Sequence, residues 1–256
     1  MQRTHSGRSA LIRLAIALTL ALSLGAAALL AAQTTARAAG APSTAIIVRV
    51  EGPKQTLVPA TSVVLSDGTI VKDGVATDSC SSRSAAGALE LATRGDWTGT
   101  WSASFNAYFL TSIDGLAFPS TGAQYWAFWV NDAPASLGIC SYDPKPGDSL
   151  LFFADCFGKS CPKNAGVLGV KAPAVAVLGR SVTVSVTAYG DAKGTPSSAA
   201  GATVSGGGAK AKTTASGTAK LSFTKAGRFT LTVRAPGAVR TETPVCVETA
   251  AARTCG

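Results

Sequence analysis

The sequence predicts two folds in series: an α+β domain, one helix on a mostly antiparallel sheet, followed by an all-β sandwich. Three observations carry this. Fourteen of the 17 aromatic residues lie between Trp97 and Phe157. A helical period occurs once after the N-terminal region, over 84–94, between segments of period 2. Beyond residue 166, short alternating runs rich in Val, Thr and Ala recur at regular spacing, the pattern of strands separated by turns.

The chain opens with a targeting signal. Arg3, Arg8 and Arg13 precede an uncharged run over 14–32, and small residues continue to Ala36-Arg37-Ala38, the order of basic, apolar and cleavable segments that directs secretion. Residues 1–38 are assigned to a signal peptide. Its 19-residue apolar run also approaches the roughly 20 residues that span a bilayer, so an uncleaved membrane anchor stays open as the alternative.

Residues 42–165 form the α+β domain. Segment 44–51 is rich in β-branched residues and stops at Gly52-Pro53; in 56–65, Pro59 points to an edge or a bulge. Asp67-Gly68 and Asp73-Gly74 are turns flanking a short strand at 69–72. Over 84–94, Ser84 is the expected N-cap, Ala85, Ala88, Leu89 and Ala92 share a face, and Gly95 ends the helix. Strands follow at 97–104, 105–113, 124–130, 137–142 and 149–155. Residues 166–256 hold about seven short strands, at 167–177, 180–189, 202–205, 210–214, 218–224, 228–235 and 241–247, a number and spacing that read as an immunoglobulin-like sandwich. Few aromatics fall here, so its core is thin and built of Val, Leu and Ala.

Six cysteines on an exported chain read as three disulfides. Fifteen pairings are possible; proximity favours Cys156 with Cys161 and Cys246 with Cys255, which leaves Cys80 with Cys140. The only histidine is His5, inside the signal, so the exported part has no imidazole for a nucleophile triad or for a histidine-ligated metal. Neither a metal nor a cofactor is expected. The net charge of +9 divides unevenly. Residues 42–165 carry 8 basic and 11 acidic groups, a net of −3, and residues 166–256 carry 11 and 3, a net of +8. In the basic half, Lys210, Lys212, Lys220, Lys225, Arg228, Arg234 and Arg240 are candidates to meet anionic cell-wall polymers or a membrane surface. Nucleic acid is not expected as a partner outside the cell.

The stretch 125–130 is the most informative for binding. Alternation puts Trp126, Phe128 and Val130 on one face and Tyr125, Ala127 and Trp129 on the other. One face can lie under the helix; the other is either covered by a second layer or forms an aromatic platform. Trp97 and Trp101 share one side of an earlier strand, with Gly99 between them. Tyr125, Trp129, Trp97 and Trp101 are therefore the candidate ligand-binding residues, suited to stacking on sugars or flat molecules. Asp143, Asp148 and Asp155 are the carboxylates close enough in sequence to suggest glycoside hydrolysis, yet two occupy ordinary turn-capping places. Ser222 and Lys225 match a Ser-x-x-Lys motif on a predicted strand without its partner motifs. Arg94-Gly95-Asp96 is most simply a helix stop and Gly206-Gly207-Gly208 a turn.

The run Tyr125-Trp126-Ala127-Phe128-Trp129-Val130-Asn131-Asp132, then Gly138-Ile139, then Pro146-Gly147-Asp148-Ser149-Leu150-Leu151-Phe152, resembles the C-terminal β-domain of transcobalamin and its bacterial relatives of unknown function. Their pattern is an aromatic strand ending in Val-Asn-Gly, a Gly-containing arm, and a Pro-Gly-Asp turn into the last strand. Asp132 stands where that pattern usually has Gly. The resemblance covers residues 42–160. Transcobalamin binds cobalamin beside a helical domain that is not predicted here, so that ligand is not carried over. Residues 166–249 resemble bacterial immunoglobulin-like or carboxypeptidase-regulatory-like modules through Gly201-Ala202-Thr203-Val204 and Ala226-Gly227-Arg228-Phe229, which implies a spacer or adhesion unit. The expectation is an exported, non-enzymatic binding or structural module of the bacterial cell envelope or extracellular space. Two alternatives stand beside it: a carboxylate-dependent hydrolase of envelope polysaccharide, and a protein that binds a corrinoid or other planar cofactor.

Overall fold

The computed structural model describes residues 45–118, 122–158, 161, 166–190 and 193–251. The signal assigned to residues 1–38 and Cys255 lie outside the described residues. Among those described, the protein is mostly β, with one helix and several sheets.

The first lobe is built on a five-stranded sheet in the order β2-β1-β10-β8-β9. Its strands are β1 (Ile46–Glu51), β2 (Thr56–Val63), β8 (Gln124–Val130), β9 (Ala133–Pro134) and β10 (Ser149–Cys156). β1 and β10 are parallel and the other pairs antiparallel. Two smaller sheets pair β3 (Thr69–Val71) with β4 (Ser79–Ser81), and β5 (Trp97–Ser102) with β6 (Ala107–Ile113) and β7 (Leu116–Ala117). Helix α1 (Ala85–Thr93) buries Ala85, Ala86, Ala88 and Leu89 in a core with Val48, Val50, Leu150, Phe152 and Trp126.

The helix is where the sequence expects it, but its start is held differently. Ser84 takes the extended N-cap conformation without a side-chain cap; its hydroxyl donates to the Ser81 carbonyl at 2.6 Å. The first helical N–H groups go instead to a loop: Ala85 N–H bonds Tyr142 O and Ala86 N–H bonds Ile139 O, both at 2.9 Å. That loop is the segment 137–142 predicted as a strand. It forms no strand, because its carbonyls serve the otherwise unpaired donors of a helix terminus. The Cys80–Cys140 disulfide ties it to β4, with Cα atoms 4.8 Å apart, and Cys156–Cys161 closes a short loop after β10. Both pairings match the sequence expectation. Cys246 is also disulfide-bonded; Cys255, its expected partner, is beyond the described residues.

The second lobe packs two sheets around one core. One contains β11 (Val167–Lys171), β13 (Ser181–Tyr189), β14 (Pro196–Ser198) and β17 (Thr218–Ser222); the other runs β12-β19-β18-β15-β16. Its strands are β12 (Val175–Val177), β15 (Thr203–Gly206), β16 (Ala209–Lys212), β18 (Gly227–Arg234) and β19 (Thr241–Glu248). Leu168, Val184, Val186 and Leu221 from the first sheet meet Val204, Leu231, Val233, Val245 and Val247 from the second. The expected single strand 167–177 is divided: β11 pairs with β13, while β12 crosses to pair with β19. Pro173, which has no N–H for a ladder, lies in the crossing.

Candidate ligand-binding cleft

The register of the five-stranded sheet places its outward residues in three rows. Arg49, Leu151 and Trp129 form one row, Glu51, Phe153 and Ala127 the next, and Asp155 and Tyr125 the last. The opposite face, with Val48, Val50, Leu150, Phe152, Trp126 and Phe128, lies in or against the helix-side core. A second layer covers the outward face in part. Ala127, Leu151 and Phe153 form a small core with Val167, and Trp129 and Val239 pack against it. Two backbone bonds hold that cover in place: Leu168 N–H to Val239 O at 3.0 Å, and Val239 N–H to Gly166 O at 2.9 Å.

The third row stays open. Tyr125 is 40% exposed and Phe157 61%, and their rings lie 5.9 Å apart. The Tyr125 hydroxyl donates to Asp155 Oδ2 at 2.9 Å, and Asp155 Oδ1 accepts the Cys156 N–H at 2.8 Å. Burial and the adjoining carboxylate push the Tyr125 phenol up to about 12, so it remains a proton donor. Asp155 also lines a cleft of about 420 Å³ between the lobes, together with Gln124, Phe153, Arg234, Val239 and Arg240. Glu51 lies at its base, 1% exposed.

Glu51 is held by both lobes. Arg49 Nη1 donates to Oε1 at 3.0 Å, Arg240 Nη1 to Oε2 at 3.1 Å, and Thr56 Oγ1 to Oε2 at 3.0 Å. Arg240 Nη2 also reaches Gly52 O at 3.1 Å, and Arg49 Nη1 reaches Arg240 O at 2.7 Å. Burial raises the Glu51 carboxyl above its usual range, against the pull of Arg49, Thr56 and Arg240, and burial lowers both guanidinium groups. A second link joins Tyr189 to Asp132 by a side-chain hydrogen bond. Asp132 has φ 65° after Asn131 at φ 50°, so it adopts the left-handed conformation that suits Gly, and it adds a carboxylate that takes the second lobe's tyrosine.

The four aromatic residues singled out from sequence do not come together. Tyr125 alone keeps an open position beside the cleft. Trp129 is half-buried against Phe153 and the covering layer. Trp97 is 2% exposed in the core, with Lys72 Nζ 4.6 Å from its ring centre. Trp101 packs edge-on against Tyr108, at 5.0 Å. Trp97 and Trp101 do share a face of β5, but the room left by Gly99 is taken: a Cβ there would meet Tyr108 Cβ at 2.9 Å. The sequence missed Phe157 and Gln124, and it offered Arg234 for anionic polymers, not for this cleft. Only Phe157, an aromatic next to Cys156, carried a local signal.

Arg240 is also placed otherwise than expected, since its side chain is buried on Glu51 instead of facing solvent. Asp148 accepts bonds from Asn131 Nδ2, Tyr142 Oη and the Lys145 N–H at 2.7–2.8 Å, and Asp143 pairs with Lys145 at 2.8 Å. Asp148 and Asp155 stand seven residues apart on an extended chain, about 23 Å, far beyond the separation of a glycosidase carboxylate pair. Ser222 is paired with Ser181 in the β13–β17 ladder; Arg94 is the helix C-cap, and of Gly206-Gly207-Gly208 the first ends β15 while Gly207-Gly208 make the turn into β16. Among the described residues no group of three or more His, Cys, Asp or Glu gathers to hold a metal ion.

Residues 98–154, from β5 into β10, match the family described as a domain of unknown function (DUF4430). No curated protein matches the chain. Among solved structures, that of a candidate metal-binding protein from Ruminococcus gnavus covers 45% of this chain and 100% of its own length, at 16% identity and a TM-score of 0.31.

Proposed function

We propose that the protein is an exported, non-enzymatic binding module that takes a hydroxylated ring, such as a sugar unit of an envelope glycan, in the cleft beside Tyr125. The observation that carries this reading is the open third row. The second layer covers Trp129 and Phe153 but stops short of Tyr125 and Phe157, leaving two exposed aromatic rings next to Gln124, Asp155 and Cys156, which line a cleft of ordinary ligand-binding size. An aromatic ring offers an apolar face to the C–H side of a sugar, while Gln124 and Arg234 supply donors and an acceptor for hydroxyl groups. A binding role fits the carboxylates better than catalysis: Asp148 is occupied by turn donors and Asp155 by Tyr125. The disulfides support the extracellular assignment. The transcobalamin-like reading of the first lobe and the immunoglobulin-like reading of the second belong to this proposal.

Isothermal titration with soluble cell-wall glycan fragments tests it. The wild-type protein binds, and Tyr125→Ala and Phe157→Ala each weaken binding about tenfold, equivalent to 1.4 kcal/mol. Unchanged affinity in both variants, or no binding by the wild type, overturns the reading.

A further inference from the structure

The outer face of the β12-β19-β18-β15-β16 sheet is a second surface, separate from the aromatic rim. Its register puts Lys212, Thr203 and Arg234 in one row and Lys210, Ser205 and Thr232 in the next. The intervening residues Val204, Leu231 and Val233 are buried in the sandwich, so the named side chains point away from it. Lys210, Lys212 and Arg234 are exposed. Adjacent strands lie about 4.8 Å apart and residues two apart on a strand about 7 Å. The three cations therefore frame an area of about 10 by 7 Å floored by Thr and Ser hydroxyls. Two carboxylates among the described residues share this face, both on β19: Glu242, which continues the second row and accepts from Thr232 at 3.2 Å and from Thr56 of the first lobe at 3.4 Å, and Glu248 at the far end of the strand beside β12.

We infer that this face docks an extended phosphodiester polymer of the cell envelope. Charge complementarity selects a polyanion: the face carries cations at polymer-like intervals, and the lobe as a whole has a net charge of +8. A membrane surface fits less well. Docking on lipid uses large apolar anchors between the basic residues, and here those places hold Thr203, Ser205 and Thr232, with Val175 exposed only on the far strand β12. Hydroxyl groups beside ammonium groups instead provide short charge-assisted bonds to phosphate oxygens. Arg234 also lines the cleft, so a polymer lying on this face would run past its mouth.

The test uses the whole purified protein on immobilised poly(glycerol phosphate). Wild-type protein is retained at low salt and released at high salt. Lys210→Glu with Lys212→Glu lowers affinity at least about tenfold. A control pair with the same change in net charge, Lys171→Glu with Lys220→Glu on the opposite sheet, retains at least half of the binding. Tyr125→Ala leaves retention unchanged, which separates this proposal from the glycan site. Equal losses in the two double variants overturn the inference, as does binding to phosphatidylglycerol vesicles without binding to the polymer.

Discussion

Asp148 gathers three donors, from Asn131, Tyr142 and the Lys145 backbone. Partial burial opposes its ionisation, but these hydrogen bonds prevail and hold the carboxyl below its ordinary 3.8. A carboxylate depressed in the folded state stabilises the protein above the unfolded-state value, and that contribution is lost as pH falls through the folded-state value. Stability should therefore decline below pH 3.8, and part of that decline should be missing from Asp148→Asn. At neutral pH the variant should be less stable by about 1–2 kcal/mol. Urea midpoints taken from neutral pH down the acid limb check both points, and parallel acid limbs would sink the argument. The role of this residue was legible in the sequence, because a Pro-Gly-Asp turn needs its side chain as an acceptor. Its partner Asn131, 17 residues away, was not.

Helix α1 shows how far local pattern reaches at the level of an element. Ser84 to Gly95 gave its position through a cap residue, a small-residue face and a glycine stop. What actually satisfies its first turn is the 137–142 loop, about fifty residues downstream, and periodicity within the helix has no access to that. The same loop read as a strand because Leu137 and Ile139 alternate with Gly138 and Cys140. The structure resolves the alternation into a buried Ile139 and an exposed Leu137 on an irregular path. Close packing at the helix start leaves its own signature. A Cβ on Gly87 would lie 1.9 Å from Ser82 O and 2.5 Å from Ser82 C. Those are backbone atoms, so the neighbouring turn has to move. Alanine ordinarily favours a helix over glycine by about 1 kcal/mol; here overpacking of about 1–3 kcal/mol outweighs it. Gly87→Ala should therefore lower the thermal midpoint and the urea midpoint together, and a stabilised variant would show that the turn yields freely.

At the scale of the whole molecule, the decisive fact is which part of the outward sheet face the second lobe covers. Alternation correctly placed Tyr125 and Trp129 on one face, but exposure was set by Val167 and Val239, which meet that face from far along the chain. That is why the candidate site was half legible. The two lobes are joined there by an apolar patch and by a buried charge cluster, in which Arg240 crosses to Glu51 and Gly52 while Tyr189 crosses to Asp132. Arg240 is the strongest test of that junction. Its side chain is 7% exposed and that of Glu51 1%, so solvent screens the pair only weakly. Removing one member of a buried pair costs about 3–5 kcal/mol, and the retained Arg49 places Arg240→Ala near the lower end, about 3 kcal/mol. Exposed Lys220→Ala, away from the junction, should stay within about 0.5 kcal/mol of wild type. The fluorescence should report the place as well as the size of the effect. Loosening the cover over Trp129 raises its accessibility to acrylamide, whereas Trp97 and Trp126, in the helix-side core, keep theirs. Loss of stability without a rise in Trp129 quenching, resolved by repeating the measurement in a Trp129→Phe background, would mean that Arg240 supports the first lobe alone and does not hold the two lobes together.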